Sequence, residues 1–121
     1  MILRTMLQAK IHGAIVTDKN LHYTGSLSVD ASLLEATGML HNEQVQVINL
    51  SNSERMWTYL IRDEPGSGRI SLNGGMAYKG EIGDRLLLIT YAQVDEEGAL
   101  KLRARVLVID RDNRQFRVVD A

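Results

Sequence analysis

Apolar side chains in this chain recur at every second position in short runs, a period that belongs to strands and not to helices. Between residues 2 and 12 one parity holds Leu3, Thr5, Leu7, Ala9 and Ile11, and the other holds Arg4, Gln8, Lys10 and His12. That is the pattern of a half-buried strand, with Lys10 and His12 on its wet face. Comparable runs follow at 44–50, 55–61, 69–72, 86–94 and 100–109. Turn-forming clusters separate them: Asn52-Ser53-Glu54, Glu64-Pro65-Gly66-Ser67-Gly68, Gly83-Asp84, Glu96-Glu97-Gly98 and Asp110-Arg111-Asp112-Asn113. Six or more short strands on about ten-residue centres predict a mainly β barrel or sandwich.

One helix interrupts the strands. Asp30 is its N-cap, Ala31-Ser32-Leu33-Leu34-Glu35-Ala36 its body and Gly38 its left-handed terminus. A second helical turn is expected after Asn73-Gly74-Gly75, where paired glycines let a ligand approach the main chain. Residues 42–48 and 83–89 share an order of turn, acid, polar residue and strand, as two half-barrels would. The echo is too short to outweigh chance on the sequence alone.

Composition narrows the function classes. A chain of 121 residues, 45% apolar and 24% charged, is one globular domain. Without Cys there is no disulfide framework, thiolate nucleophile or Cys-ligated metal. Fourteen Lys and Arg against fifteen Asp and Glu leave a net charge of -1, and one Trp, one Phe and four Tyr make a poor stacking platform. Nucleic acid is therefore not an expected partner. Arg4, Lys10 and His12 interrupt the N-terminal apolar stretch, which argues against a signal peptide or membrane span and for the cytoplasm. Walker, G-x-G-x-x-G and H-E-x-x-H motifs are absent, and His12, His22 and His41 lack metal-site spacing, so no metal is expected.

Four polar clusters remain. Lys10 with His12 reads most simply as a solvated pair; Leu21-His22-Tyr23-Thr24-Gly25-Ser26 and Asn73-Gly74-Gly75 read as turns. In Arg55-Met56-Trp57-Thr58-Tyr59 the alternation puts Arg55, Trp57 and Tyr59 on one face, the plain reading being a barrel strand with an aromatic packed inward. Gly66-Ser67 lies in an exposed-looking loop, whereas Gly25-Ser26 leads toward the capped helix. Glycine before serine tolerates the backbone strain through which a hydroxyl attacks the preceding carbonyl, the geometry of self-cleavage.

In this order the clusters resemble the pyruvoyl-dependent L-aspartate 1-decarboxylase family. The resemblance runs through Arg4-Thr5-Met6-Leu7, Lys10, His12, Leu21-His22-Tyr23, Gly25-Ser26, Gly38-Met39-Leu40, Asn42-Glu43, Val47, Asn49 and Asn52. It continues through Arg55, Thr58-Tyr59, Gly66-Ser67, Asn73-Gly74 and Gly83-Asp84. It implies a double-psi β-barrel with one or two short helices that assembles as a homotetramer. It further implies self-cleavage into a β chain, 1–25, and an α chain, 26–121, whose terminus becomes a covalent pyruvoyl group made from Ser26, with no metal and no pyridoxal phosphate. Aspartate would condense with that carbonyl as a Schiff base, lose CO2 and leave as β-alanine for pantothenate and coenzyme A synthesis.

By the same resemblance, Thr58 assists cleavage near the Gly25 carbonyl and Tyr59 reprotonates the α carbon. Lys10, Arg55, Thr58, Asn73, Gly74, Gly75 and Met76 bind substrate, while His12 and Tyr23 support them from behind. Gly75-Met76 stands where alanines are common in the family, and Gly13 where a basic residue is frequent. The stretch after Asp110 has no counterpart and is expected to be a peripheral tail, and an accessory maturation factor is compatible with the family. Two other readings stand beside this one: a noncatalytic barrel used for binding or assembly, and a pyruvoyl decarboxylase of altered substrate.

Overall fold

The period-two runs become strands in the computed structural model, which describes residues 1–120, Asp120 by its backbone alone. The strands are β1 (Arg4–Ile15), β2 (Asp18–Asn20), β3 (Ser26–Asp30), β4 (Gln44–Asn49), β5 (Arg55–Asp63), β6 (Ile70–Asn73), β7 (Arg85–Val94), β8 (Arg105–Ile109) and β9 (Phe116–Asp120). Helix α1 (Ala31–Thr37) follows β3, a 3-10 helix (Gly74–Lys79) follows β6, and α2 (Glu96–Lys101) follows β7. All nine strands form one mixed sheet in the order β2-β6-β3-β5-β4-β7-β1-β8-β9.

That order cannot be laid flat. β2, at one edge, lies six places from β1, yet only Val16 and Thr17 separate the two strands in sequence. Six strand spacings would span about 29 Å in a flat sheet, whereas three Cα steps reach about 11 Å. The sheet therefore rolls until β6 meets the link, where Thr17 N–H donates to the Ile70 carbonyl at 2.9 Å and Val16 N–H to that of Asp84 at 2.9 Å. Two register shifts in the β1–β7 ladder bend β1, and Gly13, at the second, takes φ +88°, which side chains rarely adopt. Ile11, Leu27, Leu60, Leu72, Leu88 and Leu107 fill the interior, fully buried.

Outward from the β4–β7 seam the sheet repeats itself. On each side comes an antiparallel neighbour (β5, β1), then a parallel one (β3, β8), then an antiparallel one (β6, β9). The sequence echo sets residue 42 against 83, an offset of 41. Applied to the pair Gln46↔Ile89, this offset yields Leu87↔Ile48, itself a pair of the same ladder. The echo thus coincides with a pseudo-two-fold axis through the seam.

Helix α1 has the expected caps: Asp30 accepts from Ser32 N–H at 2.7 Å, and Gly38 takes φ 75°. The turn predicted at Glu96-Glu97-Gly98 and the strand predicted from residue 100 are instead helix α2 and a shorter β8. Asp95 caps α2 through Gly98 N–H, and Lys101 pairs with Glu97 one turn away, so the turn-like acids are the start of a helix. Nor is the end of the chain peripheral. Phe116–Asp120 pairs with β8, and buried Asn113 donates to the carbonyls of Ile15 (2.8 Å) and Gly68 (2.9 Å) while accepting from Ile15 N–H (2.8 Å). Among the described residues no helix is long and apolar enough to cross a membrane.

The 64–68 loop is equally well tied, because the Asp30 carboxylate, 1% exposed, also accepts from Gly66 N–H at 2.9 Å and Gly68 N–H at 2.8 Å. Burial pushes this carboxyl up, but the N–H groups of Ser32, Gly68 and Gly66 outweigh it and hold it below its ordinary 3.8. Its stabilising contribution is then whole above that pH and is lost as the pH falls beneath it. Asp30→Ala should cost about 3 kcal/mol, one helix cap plus stranded N–H groups. Urea midpoints taken from neutral pH downward should show Asp30→Asn with a flatter acid limb than the native chain.

Candidate active site

Gly25-Ser26 marks the step from an exposed turn into a buried strand. Ser26 opens β3, pairs with Asn73 of β6 and is fully buried. Its hydroxyl donates to the Thr24 carbonyl at 3.1 Å and accepts from Asn73 Nδ2 at 3.1 Å. Both edges of that oxygen are engaged, so it is held beside the peptide bond that precedes it. Gly25 itself is not among the left-handed glycines. The left-handed glycine of this site is Gly74, at φ +59°, and a Cβ there would stand 2.7 Å from Gly25 Cα and N and 2.8 Å from the Tyr23 carbonyl oxygen.

β5 lies against the other side of β3 in parallel, with Leu27 opposite Leu60. Traced back two residues, this register brings Tyr59 level with Ser26 and Thr58 level with Gly25. Leu27 and Leu60 face the interior, so Tyr59 shares the outer face with Ser26, while Thr58 shares the inner parity with Leu60. Thr58 and Tyr59 thus lie on the strand next to β3, just before Leu60, where its pairing with that strand begins.

The expected cations do not converge on Ser26 within one chain. Across β5, β4, β7 and β1, paired residues form rows on the outer face: Arg55, Ile48, Leu87 and His12 in one, Trp57, Gln46, Ile89 and Lys10 in the next. Arg55 lies about 13 Å along β5 from Tyr59 at 3.3 Å per residue, and Lys10 lies three strands from β5. Among the described residues neither Lys10 nor Arg55 has an ion-pair partner, so both charges are free to take an anion. Trp57 points outward, 56% exposed and tilted against Tyr91 at 6.0 Å, contrary to an aromatic packed inward.

A cleft of about 220 Å³ is lined by Tyr23, Ser28, Ser71 and Asn73 with Arg62 and Arg69 at its charged side; Ser26 is not in its lining but is bonded to Asn73, which is. The 3-10 helix starts at its rim as expected, with Gly75 exposed and Met76 buried. The first turn of such a helix leaves N–H groups without intrahelical partners. Two residues of the network escaped the sequence reading. Ser28 accepts from Asn73 Nδ2 at 2.8 Å, and Ser71 donates to Asn73 Oδ1 at 2.8 Å. Their signal was polar alternation inside apolar strands, Ser26/Ser28 in β3 and Ser71/Asn73 in β6. Among the described residues no three His, Asp or Glu side chains are grouped to hold a metal.

A buried hydroxyl beside a left-handed glycine, a phenol level with it and two cations without an ion-pair partner among the described residues suit acyl transfer followed by work on an anionic substrate. Comparison with known proteins points the same way. A family model described as aspartate decarboxylase matches residues 2–116. The aspartate 1-decarboxylase of Thermoanaerobacter pseudethanolicus is 44% identical over 111 residues, covering 92% of this chain and 95% of that one. Those of Carboxydothermus hydrogenoformans and Staphylococcus aureus are 44% and 45% identical over 114 and 112 residues, covering 94% and 93% of this chain and 90% and 88% of theirs.

Gly74→Ala should lower stability by about 2–4 kcal/mol, because the new methyl meets backbone on two sides at an unfavourable φ. Gly75→Ala, whose Cβ would meet nothing within 4 Å, should stay within about 0.5 kcal/mol of the native chain. Paired urea denaturation curves check both.

Proposed function

We infer that this chain, which belongs to the aspartate decarboxylase family, converts L-aspartate to β-alanine and CO2, the step that supplies pantothenate and coenzyme A synthesis. The observation that carries the reading is the fully buried Ser26 hydroxyl, held between Thr24 and Asn73 beside Gly25. Ser26 Oγ attacks the Gly25 carbonyl carbon, the Gly25–Ser26 C–N bond breaks, and an ester with a free Ser26 amine results. Loss of the Ser26 α proton then breaks the Cβ–Oγ bond, so that Oγ leaves as part of the Gly25 carboxylate. Water converts the resulting dehydroalanine to a ketone and releases ammonia. The products are chains 1–25 and 26–121.

The surroundings fit such a group: Ser26 ends in a polar floor of Asn73 and Ser28, and Gly74 leaves room only for backbone beside it. Asn73 and Gly74 would hold the pyruvoyl carbonyl. Its chemistry is that of an electron sink for the pair left behind by CO2, which no ordinary side chain accepts. Thr58, level with Gly25, assists cleavage. Tyr59, level with Ser26, delivers the proton to the α carbon. Arg55 and Lys10 bind the carboxylates, Arg55 by its fork, with the N–H groups of Asn73, Gly74 and Gly75 beside them, Met76 beneath, and His12 and Tyr23 as supports.

Because Lys10 and Arg55 stand apart from Ser26 in one protomer, the site is completed between protomers of a homotetramer. The outer wall that carries them, with Ile48, Leu87, Ile89, Trp57 and Tyr91 interspersed, is the face a second copy covers. The mirrored strand order and the rolled sheet support a double-psi barrel, and the cytoplasm is its place.

Intact mass spectrometry of the native protein should show two chains, the larger blocked to Edman degradation, and Ser26→Ala should leave one chain of 13.5 kDa with no CO2 release from aspartate. A native chain that stays whole under all activating conditions would sink the proposal. Tyr59→Phe should still mature yet lose about 10²–10⁴ in kcat. Arg55→Ala and Lys10→Ala should chiefly raise KM, and glutamate or cysteine sulfinate turned over in preference to aspartate would assign the Gly75-Met76 pocket to another substrate.

A further inference from the structure

We propose that Ser71 and Ser28 are positioning residues that keep the N–H edge of the Asn73 carboxamide turned toward Ser26 Oγ during self-cleavage. A carboxamide has two edges of nearly equal shape, one donating and one accepting, and only its neighbours decide which faces which way. Asn73 is 2% exposed, so water does not make that choice. Ser71 Oγ donates to Asn73 Oδ1 at 2.8 Å, and Ser28 Oγ accepts from Nδ2 at 2.8 Å, leaving the second Nδ2 proton for Ser26 Oγ at 3.1 Å. Ser26 has a single hydroxyl proton, committed to the Thr24 carbonyl. A turned carboxamide would therefore set Oδ1 against a lone pair of Ser26 Oγ.

The backbone places the two serines for this task. Ser28 and Ser71 are directly paired across β3 and β6, two pairs along from Ser26 and Asn73 with Leu27 and Leu72 between, so all four side chains stand on the same outer face. The edge that Asn73 presents matters most in the second step of cleavage. There Ser26 Oγ changes from an ester oxygen to a carboxylate oxygen, and a donor to an oxygen gaining charge holds it more strongly than before. Turned the other way, the carboxamide would oppose that charge. Ser71 and Ser28 each hydrogen-bond Asn73, and it is Asn73 that reaches Ser26; they act through that carboxamide.

The inference rests on the self-cleavage reading, and the test separates the two. Unprocessed native, Ser71→Ala, Ser71→Thr and Ser28→Ala chains are followed in time by intact mass spectrometry with and without cold, neutral hydroxylamine, which splits an ester and spares peptide bonds, including Asn73-Gly74, whose cleavage needs hot alkaline reagent and would give a different fragment mass. Ser71→Ala and Ser28→Ala should each mature about tenfold more slowly, the effect of one hydrogen bond at a reacting oxygen. Both should accumulate a full-length species that hydroxylamine splits after Gly25, leaving a Ser26 amino terminus readable by Edman degradation. Ser71→Thr, which keeps the hydroxyl, should mature at the native rate.

Native-rate maturation of either alanine variant overturns the proposal, as does a slow variant whose uncut chain resists hydroxylamine. If Ser71→Ala does not fold by its thermal transition, Ser28→Ala decides alone by the same two criteria. A native chain that never splits refutes the self-cleavage reading and this inference with it. A native chain that splits while both alanine variants keep pace refutes the inference only.

Discussion

Two residues, Val16 and Thr17, join strands that stand six places apart in the sheet, and the rest of the molecule is arranged around that short span. The sheet has to roll for the chain to connect, and rolling creates an inside that only one parity of each strand can reach. Leu27, Leu60, Leu72 and Leu88 occupy it. The other parity is left for chemistry. Ser26, Ser28, Ser71 and Asn73 on one part of the wall, and Lys10, His12 and Arg55 on another, are all residues that the rolled sheet turns outward.

Polar groups on that outer face are nonetheless buried where a loop crosses them, and the price of burying them is met by complete pairing. Asp30 illustrates the rule at one end of β3, where three N–H groups satisfy a single carboxylate and anchor both α1 and the 64–68 loop. Asn73 illustrates it at the other end, with its carboxamide engaged on every side by hydroxyls. Between these two anchors β3 has little freedom to slide, and the position of Ser26 along the sheet is set by both.

Much of the fold could be read from the chain because period and caps are local signals. The strands at 44–50, 55–61 and 86–94 and the helix between Asp30 and Gly38 are close to the observed elements. β3 escaped because Ser26-Leu27-Ser28-Val29-Asp30 is buried throughout, so its polar residues looked like turn chemistry. α2 escaped because Asp95-Glu96-Glu97-Gly98 is both a plausible turn and a capped helix start, and only the i, i+4 partner at Lys101 separates them. Asn113 was unreadable for another reason: its partners at Ile15 and Gly68 are distant in sequence. Ser26 and Tyr59 were legible as motif residues, whereas the contacts of Ser28 and Ser71 follow from a register that no local pattern announces.

The interleaving of the halves has a consequence for how this molecule comes apart. Residues 1–25 carry β1, which lies between β7 and β8 and not at an edge. A chain severed after Gly25 therefore cannot shed the shorter piece without opening the middle of the sheet. In the intact chain β1 and its neighbours are tethered on one polymer, whereas reassembly of a severed protomer requires two fragments to find each other and so depends on their concentration. A cut at that bond turns a reversible fold into one whose history can be read from whether it returns after dilution.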